Sequence, residues 1–145
     1  MSEDEVRRFL DEERVVTCAT QGPNGRPHLM PLWYVRDGQA ILGWTFAKSQ
    51  KVRNLERDPR ATLQIEAGDG YGDLRGVMAE CDVAIERDPA RVADVGIALL
   101  ARHAGAQPTP DALAAVRKQA TKRVALRFTP TRTVSWDHRK LGGAY

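Results

Sequence analysis

Apolar residues recur at alternate positions in several short stretches of this chain, and at helical three-and-four spacing in others. Val6, Phe9 and Leu10 share a helical face just after Ser2 and Glu5, whose spacing is that of a capping box, so the chain opens with a short amphipathic helix over 2–13. Strands are expected next. Residues 15–20 are rich in β-branched side chains, and Pro23, Asn24 and Gly25 supply a turn before a second strand over 27–35. Asp37 and Gly38 mark a hairpin into a third strand over 40–46.

A helix over 48–58 follows, with Val52 and Leu55 as its only apolar anchors and Pro59 as its stop, so most of its surface should be wet. Residues 60–67 alternate again, with Ala61, Leu63 and Ile65 on one side. A glycine-rich tip over 68–73 leads into a longer strand over 74–85. Asp88 and Pro89 start a helix that runs to about residue 103, and Thr109, Pro110 and Asp111 start another to about residue 119. Two final strands are expected over 124–128 and 132–136, then a polar tail over 137–145. Successive short antiparallel strands with few helices predict a mainly β (α+β) chain, a small barrel with short peripheral helices.

At 145 residues the chain has the length of one domain, 1–145. It is long enough to fold without a disulfide or a metal. No apolar run approaches a membrane span, and the acidic start is not a signal peptide, so a cytoplasmic protein without a membrane partner is expected. Cys18 and Cys81 lie in separate apolar segments with no metal-ligand spacing and read as small buried apolar residues. The net charge is +3, with Arg and Lys mostly interleaved with Asp and Glu. That balance argues against a nucleic-acid partner and for a local anion site.

The candidate chemistry lies where the third strand meets the next helix. There the chain reads Thr45, Phe46, Ala47, Lys48, Ser49, Gln50, Lys51. Unpaired first-turn amides and the helix dipole favour an anion, and a serine hydroxyl with lysine ammonium groups adds charge-assisted hydrogen bonds. Together they would make a phosphate cradle without glycines. Arg53 and Arg57, four residues apart, line an adjacent face where a longer anionic tail could lie. The alternative is an ordinary solvated helix face balanced by Glu56 and Asp58. Basic residues at a helix N-terminus oppose its dipole, however, unless an anion arrives.

The run Lys51, Val52, Arg53, Asn54, Leu55, Glu56, Arg57, Asp58, Pro59, Arg60 resembles the signature of the pyridoxamine 5'-phosphate oxidase-like flavin and deazaflavin oxidoreductase superfamily. Residues 25–34 are similar to that superfamily's second strand, and 123–128 fit its last. The form of the run is closer to the branch that uses coenzyme F420, a 5-deazaflavin, than to classical FMN oxidases. The resemblance implies a split β-barrel homodimer with cofactor sites at the subunit interface. Phosphate would meet Thr45, Ser49, Gln50 and Lys51, and the ring would lie against Met30, Pro31, Leu32 and Trp33. Lys48 and Arg53 would be placed for the carboxylates of the F420 tail, which FMN lacks. Ser49 departs from the basic residue that many members carry there, which shifts phosphate binding towards Lys48 and Lys51.

His28 could hydrogen-bond a ring carbonyl, or simply face solvent. Trp33, Trp44 and Trp136 fit core or interface packing, and Trp136 could instead cover a ring. No Ser-His-Asp set, Cys-His pair, carboxylate dyad or metal motif is discernible, a pattern consistent with chemistry centred on a cofactor. Three readings follow: an F420-dependent reductase acting on a small electron-poor molecule, an FMN-dependent enzyme of the same fold, or a non-catalytic module holding a flavin or haem.

Overall fold

Strand pairing brings together residues that are far apart in sequence, and it explains where the candidate site forms. The computed structural model describes residues 1–142; of the expected polar tail, residues 143–145 lie outside the described residues. The chain forms α1 (Glu3–Glu12), β1 (Val15–Gln21), β2 (Pro27–Trp33), β3 (Val35–Asp37), β4 (Ala40–Phe46), α2 (Gln50–Arg57), β5 (Arg60–Ala67), β6 (Arg75–Glu86), α3 (Pro89–Ala104), α4 (Pro110–Ala120) and β7 (Arg123–Asp137). Short 3₁₀ turns cover Tyr71–Asp73 and His138–Lys140.

The seven strands lie in one sheet in the order β2-β1-β5-β6-β7-β4-β3, each pair antiparallel. The sheet curls into the split β-barrel of the expected class. Alternate residues of its strands fill the inside: Val16 and Cys18 from β1, Ile41 from β4, Leu63 and Ile65 from β5, Val77 and Ala79 from β6, Leu126 and Phe128 from β7. α1 adds Phe9 to that core, and its capping box between Ser2 and Glu5 is complete. A smaller second core lies on the outer face of β4 and β7. There Val92 and Ala93 of α3 and Ala120 of α4 cover Trp44 and Ala125.

Four expectations need correction. The second strand does not run to residue 35: it ends at Trp33, because Tyr34 turns inward to full burial and donates its hydroxyl to Leu10 O at 2.7 Å. The helix expected from residue 48 begins only at Gln50. Ser49 is its extended N-cap residue, and Lys48 lies in the preceding turn. That helix is not mostly wet, for it buries Lys51 and Asn54 beside Val52 and Leu55. The last two strands are one, since β7 continues through Pro130. The ladder with β6 absorbs the proline through a register shift beside Glu80 and Cys81, and the extra residue Thr131 donates its hydroxyl to Glu80 O at 3.1 Å.

Candidate functional site

α2 enters the barrel end with two polar residues, Lys51 and Asn54, turned inward, and that is what builds the site. Lys51 is only 6% exposed, yet its ammonium group has one partner among the described residues, the Thr45 hydroxyl at 3.0 Å. An ammonium carries three donors, so two remain uncommitted. Burial pushes the Lys51 pKa down, with the nearby Cys18 opposing. Cys18 is itself buried and pushed up to about 11 by burial, so it stands beside Lys51 as a neutral thiol.

One turn further on, Asn54 is fully buried and acts as a hub. Its Nδ2 donates to the Thr20 hydroxyl at 3.0 Å, and its Oδ1 accepts from Gln50 Nε2 at 2.8 Å and from the Arg57 guanidinium at 3.2 Å. Arg57 also donates to Gln21 O at 2.8 Å. These bonds tie α2 to β1 and hold Lys51 at a fixed depth. Sequence reasoning assigned no role to Asn54 or Thr20. The available signal was a helical asparagine four residues after a glutamine, flanked by the buried positions 51, 52 and 55.

Ser49 gives no side-chain cap to α2, and its Oγ is shut away from solvent without a hydrogen-bond partner. No acidic residue occupies the first turn of the helix. A buried ammonium bound to Thr45, a partnerless hydroxyl and uncapped amides therefore all lie at the junction of β4 and α2. All of them donate, so the arrangement fits an oxyanion such as a phosphate ester.

The predicted ring-side residues divide between two faces. Cross-strand partners share a face, so His28 opposite Thr20, Met30 opposite Cys18 and Leu32 opposite Val16 are on the inner side with the corner. His28 Nδ1 is enclosed and has no partner. Pro31 and Trp33 lie on the outer side, where the Trp33 indole stacks on His103 of α3 with ring centroids 3.7 Å apart. Lys48 and Arg53 are exposed at either side of the corner, and Gln50 is engaged with Asn54. Trp44 packs under α3, against Gly96. Trp136 is not brought to the corner within the chain. It lies about twelve residues along β7 from Val124, the partner of Thr45, and its indole covers Gly76. A cleft of about 600 Å³ lies beneath α1 among Leu10, Ile41, Val77 and Arg132 and contains none of the predicted site residues.

Comparison with known proteins agrees with this fold. A family model described as "Pyridoxamine 5'-phosphate oxidase" matches residues 2–137. The conserved hypothetical protein Rv2991 from Mycobacterium tuberculosis is 42% identical, with a TM-score of 0.91 over 100% of this chain and 90% of that one. An F420 reductase shares the fold at 23% identity and a TM-score of 0.69, over 88% of this chain and 94% of that chain. The haem storage protein HutZ from Vibrio cholerae does so at 18% identity and 0.70, over 93% of each chain. No curated protein matches. With nearly its whole length matched, the chain belongs to the pyridoxamine 5'-phosphate oxidase family.

Proposed function

We propose that the chain is an F420-dependent reductase, and that the corner of Thr45, Ser49 and Lys51 holds the cofactor's phosphate. The observation that carries this reading is Lys51, a nearly buried ammonium with a single neutral partner. A charge left this short of partners is costly unless an anion completes its shell. When bound, the deazaflavin would supply the hydride, and the acceptor would be a small electron-poor molecule such as an enone or a quinone. The chain's own part is positional. Lys51 and Ser49 anchor the phosphate, the exposed Met30 presents an apolar surface to the ring with the buried Leu32 behind it in the core, and the partnerless His28 nitrogen offers it a hydrogen bond.

The reading includes a homodimer. β2 stands at the end of the strand order and carries Pro27 and Pro31, which lack the N–H that an added strand would need. A partner would instead meet the apolar side chains of β1 and β2. Val15 is 48%, Leu29 57% and Trp33 54% exposed, and the three share one face. A second copy of the chain would cover these apolar side chains. The match to a family described by pyridoxamine 5'-phosphate oxidase favours FMN as the second reading.

Calorimetric titration with F420 and with FMN tests the proposal. F420 should bind with micromolar-order affinity, more tightly than FMN, and Lys51→Ala should weaken it. Equal binding by the wild type and the variant would defeat the site assignment. Tight FMN binding with none of F420 would select the second reading.

A further inference from the structure

We propose that Arg123 forms a second anion subsite on the outer face of β4, which receives an anionic extension of the ligand whose phosphate sits at Lys51. The inference rests on the function proposed above and adds to it the route by which the ligand leaves the corner.

Arg123 is the direct partner of Phe46 in the β4–β7 ladder, one pair beyond Thr45 and Val124. Its guanidinium lies 4.5 Å from the Trp44 ring centroid and 4.2 Å from that of Phe46, held between two aromatic faces. It has no carboxylate and no hydrogen-bond acceptor among the described residues, and its Nε is enclosed and unpaired. Arginines elsewhere in the chain are used differently: Arg36, Arg60, Arg75 and Arg127 have carboxylate partners, and Arg102 is satisfied by backbone carbonyls. Arg123 as a whole is half-buried, so its stem is fixed between the rings while the terminal nitrogens of a fork without a protein acceptor are left for an oxyanion.

The surroundings point the same way. Ala47 N donates to Lys122 O at 3.0 Å, so the turn bearing Lys48 is tied to the segment that leads into β7. Lys48 and Lys122 are both exposed, and neither has a carboxylate partner among the described residues. Arg117 and Lys118 in the last turn of α4 extend the positive surface. Arg123 and Thr45 lie on opposite faces of the sheet. A ligand anchored at Lys51 would therefore reach Arg123 by passing over Ala47 at the end of β4. This exit differs from the one along α2 past Arg53. Two cationic groups on either side of this strand end suit a phosphate that carries an anionic chain, and a lone phosphate ester would use only the first.

Calorimetry with F420 and with the same deazaflavin cut back to its phosphate tests the subsite. The wild type should hold intact F420 about tenfold or more tighter than the truncated form, the scale of one charge-assisted hydrogen bond. Arg123→Met, which keeps the stem between the two rings, should abolish that difference while leaving the truncated form's affinity unchanged. Lys122→Glu, at an exposed position, should reduce the same difference and serves if the methionine variant fails to fold. Lys51→Met should weaken both ligands alike. Discrimination that survives both Arg123→Met and Lys122→Glu overturns the subsite. A wild type that binds neither ligand overturns the cofactor reading itself.

Discussion

Replacing Lys51 with methionine should move folding and binding in opposite directions. The side chain is 6% exposed and its ammonium has one partner, the Thr45 hydroxyl. Methionine keeps the stem's length and removes the charge. Relief from a poorly partnered buried charge is worth on the order of 1–2 kcal/mol, and the Thr45 hydroxyl left without its donor costs up to about 1 kcal/mol. The expected net gain is about 1 kcal/mol, or a Tm rise of about 2–4 °C at this chain length. The same change removes a charge-assisted bond to the ligand's phosphate worth about 1.5–3 kcal/mol, so the Kd should weaken roughly 10- to 150-fold.

The sign of the pH dependence follows from burial. The folded-state pKa of Lys51 lies below the value of 10.5 expected for the unfolded chain. Between the two values the unfolded chain binds more protons, so wild-type stability rises with pH there. Below the folded pKa the penalty is complete. The variant's stability advantage should therefore be full below the folded pKa and close as pH climbs towards 10.5. Thermal melts across that range, paired with F420 titrations, read both effects. A variant that melts several degrees below the wild type, or that binds F420 as the wild type does, would refute the reasoning.

Three further outcomes are expected. Gly76→Ala places a Cβ inside the Trp136 indole and should cost about 1–3 kcal/mol in urea denaturation, with loss of the native tryptophan fluorescence. Arg102→Ala removes a guanidinium that donates to Leu10 O, Asp11 O and Tyr34 O at 2.9, 2.9 and 2.7 Å, and it should cost about 2–4 kcal/mol with early fraying of α1 in hydrogen exchange. Trp33→Glu should shift the chain from dimer to monomer in light scattering with little change in secondary structure.

Elements with a local signature were legible in the sequence. β4 and β5 fall at their expected bounds because Asp37 and Gly38 mark the turn before β4, and Pro59 and Gly68 bracket the alternating residues of β5. The missed features are non-local or have two local readings. Nothing around Tyr34 marks a break, since its inward turn depends on a carbonyl of α1. Pro130 reads as a strand terminator, and only pairing with β6 supplies the bulge that accommodates it. Ser49 suits a first helical turn as well as an N-cap. The depth of Lys51 and Asn54 was hidden because an amphipathic reading assigns lysine and asparagine to solvent, whereas Thr20, Cys18 and Thr45 arrive from other strands to receive them.

The most direct measurement is a crystal structure of the protein soaked with F420 or with FMN. The account predicts density for a phosphate within hydrogen-bonding distance of Lys51 Nζ and the Ser49 hydroxyl, with the ring against Met30. A cofactor bound elsewhere, with Lys51 still turned only towards Thr45, would contradict it.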